Sequence, residues 1–185
     1  MPILANETTI YPDQLLDGFT SSVSGRQWWV IYTKARQEKA LARQLLRWKV
    51  PFYLPLVAKE NLIRGRRVES HIPLFGGYVF SFASDEERVQ SLTTNRISRI
   101  LPVSNGDVLC DELRDVRQLI ASDAPLTVER RLVPGQRVRI KAGSLLGMEG
   151  TVVTHRGKTR LVVAVSFLQQ GVSIEIDNFL LEAVG

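Results

Sequence analysis

The sequence predicts an α+β fold in which a mixed α/β sandwich is followed by a small β-barrel. In the first part of the chain, two segments have apolar residues at helical spacing, whereas beyond residue 131 the apolar residues alternate with polar ones. Five short C-terminal strands favour a barrel, because closure removes exposed sheet edges. The 185 residues are 44% hydrophobic and 23% charged, which is typical of globular domains.

The N-terminal third is predicted to contain a leader, a strand and a helix. Residues 1–26 show no sustained period and are interpreted as a flexible leader. Residues 28–33 are β-branched and aromatic and predict a strand. Residues 34–49 switch to helical spacing, with Leu41 and Leu45 on one face and charged residues on the other.

A hairpin with a basic tip follows the first helix. Residues 56–63 and 68–75 read as its two strands, and the turn between them is Arg64-Gly65-Arg66-Arg67. The rest of the sandwich is predicted as a strand over 78–82, a short helix from 85, a strand over 97–101 and a helix over 111–121.

A change of period locates the domain boundary. Residues 122–131 are polar, contain Pro125 and are interpreted as a link between a first domain over 27–121 and the barrel over 132–185. The barrel strands are predicted at 136–141, 150–155, 160–166, 172–176 and 179–183, separated by turns that contain glycine.

The sequence contains no recognisable catalytic or metal-ligating pattern. Cys110 is the single cysteine, and His71 and His155 lie too far apart for a familiar zinc spacing. Gly157-Lys158-Thr159 resembles the end of a phosphate-binding loop, but Val152 stands where the first glycine is needed. We therefore expect no catalytic residue, no metal, no cofactor and no enzymatic activity. The absence of a signal peptide and of any apolar run of about 18 residues predicts a cytoplasmic protein without membrane contact.

Positive charge is concentrated in two blocks. Residues 26–49 contain seven lysines and arginines against one acid, and residues 130–160 contain eight against one. Such blocks raise the affinity for phosphates through counterion release. A solvated helix face without a partner explains the first block equally well.

Several motifs resemble the NusG-type transcription factors. The strings are W-V-I-Y-T-K over 29–34, R-G-R-R over 64–67 and P-L-F-G-G-Y-V-F over 73–80, together with residues 97–103. They resemble the N-terminal (NGN) domain of that family, which has an antiparallel sheet with helices. The glycines at 143, 147 and 150 resemble the KOW module, an SH3-like β-barrel. The resemblance covers about residues 27–185, and the R-G-R-R string is closer to specialised paralogues such as RfaH.

The resemblance implies a transcription elongation or antitermination factor. Its first domain would bind the clamp helices of RNA polymerase, hold the clamp closed and suppress pausing or termination. The implied polymerase-binding residues are Tyr32, Phe75, Tyr78, Phe80, Thr93, Thr94, Leu113 and Val116. The residues implied to lie toward DNA in the elongation complex are Lys34, Arg36, Gln37, Arg64, Arg66 and Arg67.

The resemblance also implies a second partner for the KOW module. That partner is a ribosomal protein, Rho or RNA, and Phe167 and Leu145 are the residues implied to bind it. The whole chain is expected to be a monomer. The alternative hypothesis is a KOW-containing RNA- or ribosome-binding protein that makes no contact with polymerase.

Overall fold

The computed structural model describes residues 7–18 and 25–185. The chain forms two compact units, one that ends at Gly106 and one that begins at Asp107. In the first unit the elements are β1 (Ile10–Tyr11), β2 (Gln27–Thr33), α1 (Glu38–Arg47), β3 (Phe52–Tyr53), β4 (Leu56–Ile63), β5 (Arg66–Pro73), β6 (Tyr78–Ala83), α2 (Asp85–Leu92) and β7 (Ile97–Pro102).

Five of these strands form one antiparallel sheet. Its order is β1-β3-β6-β2-β7, so the two long central strands are β6 and β2. The apolar stripe of α1, with Leu41 and Leu45 fully buried, packs on this sheet against Ile31 and Val79. The predicted α/β sandwich with an antiparallel sheet is therefore confirmed for the first unit.

The helix α2 begins with a capping box formed by Ser84 and Glu87. The Ser84 hydroxyl accepts a hydrogen bond from Glu87 N, and the Glu87 carboxylate accepts one from Ser84 N at 2.8 Å. Arg26 donates two more hydrogen bonds to the same carboxylate. Burial opposes ionisation of Glu87, but the bonds from Arg26 and Ser84 outweigh it and hold the pKa of this carboxyl below its usual value. The start of β2 is thus tied to α2.

The predicted flexible leader is wrong for its described part, residues 7–18. The strand β1 pairs with β3, and Leu15 and Leu16 are fully buried. Arg43 of α1 also binds the Glu7 carboxylate. A two-residue strand and one leucine pair are too short to produce a detectable period, so the pattern could not reveal this packing. Residues 1–6 and 19–24 lie outside the described part.

The predicted basic hairpin is confirmed, with a tighter turn than expected. The strands β4 and β5 pair from Leu56 opposite Pro73 to Ile63 opposite Arg66. Only Arg64 and Gly65 remain in the turn, and both have positive φ, +49° and +76°. This is the two-residue turn that matches the twist of a hairpin. Arg66 therefore belongs to β5, rather than to the turn.

The second unit contains one long helix and six strands. They are α3 (Gly106–Ala121), β8 (Thr127–Glu129), β9 (Gln136–Ile140), β10 (Glu149–His155), β11 (Lys158–Val165), β12 (Gln170–Glu175) and β13 (Leu181–Ala183). Gly106, the first residue of α3, is also the last residue of the first unit. The sheet order is β13-β9-β10-β11-β12-β8, and the sheet is open between its edge strands β13 and β8. The predicted closure into a barrel is therefore not confirmed. The segment 122–131, predicted to be a link, contains β8, which pairs with β12.

Leu15 and Leu16 provide a test of how firmly the N-terminal segment is held. We expect Leu15→Ala or Leu16→Ala to lower the free energy of unfolding by about 2–5 kcal/mol, because each side chain is fully buried and its truncation leaves a cavity. Leu92→Ala is the control, since Leu92 is exposed. Denaturant unfolding of the full chain measures all three. Equal, small losses would mean that residues 7–18 do not pack as described.

Candidate functional site

Gly77 joins the turn before β6 to the end of β2 and to α1. Its N–H donates to the Glu38 carboxylate at 2.7 Å, and its carbonyl accepts from Thr33 N at 2.8 Å. Glu38 is buried, and the hydrogen bond from Gly77 offsets part of the cost of burying its carboxylate. Gly77 has φ of +87°, and an added Cβ would lie 3.1 Å from the Tyr32 ring. The positive φ therefore favours glycine, and an added Cβ would also make a tight contact with the ring.

An aromatic pair lies beside this turn. Tyr32 and Tyr78 are opposite each other on β2 and β6, and their ring centroids are 5.2 Å apart at an interplanar angle of 51°. Tyr32 is 39% exposed, and Tyr78 is half-buried. Phe75 and Phe80, which were predicted with them, are buried and in edge-to-face contact with each other at 6.4 Å. The tyrosines thus form a surface, and the phenylalanines form part of the core.

The other predicted polymerase-binding residues differ in exposure. Leu113 and Val116 lie on α3 in the second unit and are fully buried, so their side chains are unavailable to a partner. Thr93 is exposed and Thr94 is half-buried at the end of α2. Their hydroxyls donate back to the carbonyls of Gln90 and Ser91. The two threonines therefore form the end of the helix and leave only part of their surface free.

The turn after α2 meets the loop after β2 in a basic edge. Lys34 donates through Nζ to Asn95 Oδ1 at 2.7 Å and through its backbone N–H to the Arg96 carbonyl at 2.8 Å. The Arg96 guanidinium donates to Gln37 Oε1. Arg36, the third residue predicted here, is exposed. The structure thus brings Lys34 and Gln37 together against one turn.

Sequence reasoning missed two arginines of this edge. Arg96 is bonded to Gln37, and Arg99 of β7 is exposed directly opposite Tyr32 of β2. Both belong to β7 or to the turn before it, outside the two basic blocks. Only the pairing of β2 with β7 places them beside the tyrosine surface, and a local charge count contains no signal for it.

The hairpin tip carries three exposed arginines, Arg64, Arg66 and Arg67. None of them forms a salt bridge within the described part of the chain, in contrast to Arg26 and Arg43 of the same unit. Their positive charge is therefore not neutralised by this unit's own carboxylates.

Three of the eight cations of the second basic block are in ion pairs within the described residues. Arg137 and Arg139 bind the Glu149 carboxylate, and their hydrogen bonds hold its pKa below the usual value. Lys158 pairs with Glu175 at 3.1 Å. Arg160 donates to Ser173 and to Thr127, which ties β11 to β12 and β8. This block therefore contributes less free charge for phosphates than its composition indicates.

The two residues predicted to bind the second partner are in different environments. Phe167 is partly exposed in a single 3-10 turn over Ser166–Leu168, where Glu112 of α3 accepts hydrogen bonds from the Ser166 N–H at 3.0 Å and hydroxyl at 2.5 Å. Leu145 is buried. It lines a cavity of about 770 Å³ together with Ile140 and Ile174. Phe167 is therefore available to a partner, whereas Leu145 is buried in the lining of this cavity.

No group of three or more histidine, cysteine, aspartate or glutamate side chains in the described ranges could hold a metal ion. Among the described helices, none is long and apolar enough to cross a membrane.

Gly77→Ala tests the close approach of Gly77 to the aromatic pair, with Gly65→Ala as its matched control. Both glycines have positive φ, but only at Gly77 would the added Cβ meet Tyr32. We expect about 1 kcal/mol of destabilisation from the positive φ in each variant and a further loss in Gly77→Ala. Thermal unfolding and the near-ultraviolet circular dichroism of the tyrosines measure the two effects. Identical behaviour of both variants would contradict the close approach of Gly77 to Tyr32.

Comparison with known proteins matches the chain to a family model and to solved structures that include the one named below. The family model described as "Transcription termination factor nusG" matches residues 26–134. The solved structure is titled "Crystal Structure of MjSpt4:Spt5 complex conformation B". It matches at 14% identity over 86% of this chain and 97% of that chain, with a TM-score of 0.29, which is too low to support any argument. The family match covers every element from β2 to β8 and more than half of the residues, and the chain therefore belongs to the NusG family.

Proposed function

We propose that this transcription elongation factor of the NusG family binds RNA polymerase through the surface formed by Tyr32 and Tyr78. The supporting observation is that the Tyr32 ring packs against Gly77 while 39% of the residue remains exposed to solvent. Aromatic anchors that are held rigid before binding lose little conformational freedom in a complex. In this proposal Phe75 and Phe80 support the surface from beneath and do not contact the partner.

The partner element is the pair of clamp helices of the polymerase. An apolar surface of this type suits the exposed side of a helical pair, which presents aliphatic side chains at helical spacing. Binding there holds the clamp closed and suppresses pausing or termination. Thr93 and Thr94 are proposed to meet the opposite side of the polymerase cleft.

The arginines of the hairpin tip are proposed to contact DNA in the elongation complex. Their positive charge is not paired within the described residues, and three guanidinium groups at one end of a hairpin attract phosphates. Lys34, Arg36 and Gln37 form the second part of this DNA-facing surface, to which Arg96 and Arg99 add charge.

The second unit is proposed to be a KOW module of the SH3-like type that recruits a ribosomal protein, Rho or RNA. Its strands β9 to β13 lie at the five positions predicted for the strands of that module, and Phe167 is the proposed contact residue. We propose that the protein acts in the cytoplasm as a monomer, without enzymatic activity or cofactor. Its R-G-R-R tip supports an RfaH-like specialisation.

Tyr32→Ala tests the polymerase surface. We expect the affinity of the full chain for core RNA polymerase to fall by on the order of 2 kcal/mol or more, about 30-fold, because buried aromatic anchors dominate such interfaces. Phe179→Ala is the control, since Phe179 is an aromatic residue that is 70% exposed in the second unit. Fluorescence anisotropy with labelled chain measures the affinity.

Two results would count against the polymerase proposal. A folded Tyr32→Ala variant that binds as tightly as the parent would disprove the surface. A parent chain without any affinity for core polymerase would favour the alternative, an RNA- or ribosome-binding protein.

The salt dependence of DNA binding tests the hairpin arginines. We expect Arg66→Gln and Arg67→Gln each to weaken binding regardless of sequence and to reduce the slope of log affinity against log salt by about 1. Arg137→Gln is the control, because Arg137 is already paired with Glu149. Arg64→Asn separates the effect on DNA binding from the effect on stability, since asparagine tolerates the positive φ of this position better than arginine. It should keep or raise the stability while weakening DNA binding. Unchanged slopes in the arginine variants would show that the tip does not contact phosphates.

A further inference from the structure

The end of the hairpin has an arrangement that the arginines alone do not explain. In the β4–β5 register, Leu62 lies opposite Arg67 and Ile63 lies opposite Arg66. Successive residues of a strand point to opposite faces, so each face of the tip presents one aliphatic side chain beside one guanidinium group. Arg64 occupies the apex between the two faces.

The two aliphatic side chains are strongly exposed. Leu62 is 74% exposed and Ile63 is 53% exposed, more than Val68 and Ile72 nearer the base of the same hairpin. They support no core, since this two-stranded sheet pairs with no third strand. Exposed aliphatic residues on a free ribbon favour unwanted association. Their presence at the tip therefore indicates a partner surface that covers them.

The apex arginine is the second observation. Arg64 has φ of +49°, in the left-handed region where asparagine or glycine is more favourable. The same conformation occurs at Arg156 and at other non-glycine residues, so Arg64 is distinguished by its charge at the hairpin end and not by its backbone. The cation at the apex thus supports an anionic partner that is reached by the very end of the ribbon.

We propose that the hairpin end enters the major groove of duplex DNA, with Arg66 and Arg67 on opposite phosphate backbones and Leu62 and Ile63 against base edges. This inference deepens the proposed contact between the hairpin arginines and DNA and rests on it. The major groove of B-DNA is about 12 Å wide and admits a two-stranded ribbon. A ribbon with cations on both faces matches a groove with phosphates on both sides. The apolar group available on the base edges there is the methyl of thymine.

The composition of the hairpin favours a DNA duplex over other nucleic acids. Residues 56–73 contain no phenylalanine, tyrosine or tryptophan, the side chains on which unpaired bases stack. The major groove of an RNA duplex is too deep and narrow for side chains to read. Aliphatic residues between arginines therefore fit the open groove of B-DNA best.

An acidic pair limits how far the hairpin can enter. Glu60 and Glu69 lie directly opposite each other, two residues further from the tip than Leu62 and Arg67 and on the same face. Two carboxylates at that level repel the phosphates that line the groove. The hairpin is therefore inserted by its end alone, which contains the aliphatic and basic pairs.

The test compares a Leu62→Thr/Ile63→Thr double variant of the full chain with Ile72→Thr. Threonine preserves strand propensity, and Ile72 is an exposed residue of the same hairpin beyond the Glu60–Glu69 pair. The probes are a 20-base-pair DNA duplex, its single strand and an RNA duplex of the same sequence. We expect the double variant to bind the DNA duplex on the order of tenfold more weakly, with an unchanged salt slope, because aliphatic contacts release no counterions. Ile72→Thr should bind like the parent.

A duplex with uracil in place of thymine gives a second readout. The parent chain should bind it several-fold more weakly than the thymine duplex, whereas the double variant should not distinguish the two. Equal binding of both duplexes by the parent would overturn the groove contact.

The other outcomes are also decisive. A double variant that binds the DNA duplex like the parent overturns the inference, while reduced salt slopes in the arginine variants would still support the proposed phosphate contact. A parent that shows no preference for the DNA duplex over the single strand or the RNA duplex also overturns it. Weaker binding of the double variant to core polymerase, with duplex binding unchanged, would identify Leu62 and Ile63 as a protein contact instead.

Discussion

The two backbone hydrogen bonds of Gly77 are the constraint on which the first unit's surface depends. They attach the start of β6 to Thr33 at the end of β2 and to the buried carboxylate of Glu38 in α1. Three elements that are distant in sequence therefore meet at one residue whose positive φ favours glycine. One side of the Tyr32 ring lies close to this glycine, and 39% of the residue stays exposed. The proposed polymerase surface is thus a product of backbone geometry as much as of aromatic composition.

The cations of the two units differ in how many of them the sheet itself engages. In the second unit Arg137 and Arg139 share Glu149, Lys158 pairs with Glu175, and Arg160 joins three strands. The arginines of the hairpin tip have no such carboxylate among the described residues. The hairpin arginines lie outside both basic blocks, so a count of charges along the chain gives them little weight, although they form a compact group of exposed guanidinium ions.

Local pattern predicted the α1 stripe, the hairpin and the aromatic strands well, because each is a continuous run with a clear period or a turn signal. It failed where a short segment is stabilised only by distant residues. Leu15 and Leu16 belong to a segment whose two-residue strand has no period of its own, and β8 was hidden in a polar stretch beside Pro125. Arg99 joins the candidate site only through strand pairing. The exposure of Phe167 and the burial of Leu145 depend on tertiary packing in the same way, whereas the burial of Leu113 agrees with the apolar spacing of its helix.

The N-terminal strand β1 has one more consequence, which concerns the behaviour of the chain in solution. It pairs with β3 at the border of the five-stranded sheet. Without it, the outer N–H and C=O groups of Phe52 and Tyr53 would be open to pairing with another molecule. A shortened chain that starts at β2 would therefore move the edge of the sheet from β1 to β3 and expose these groups, while it would retain every residue of the proposed binding surfaces.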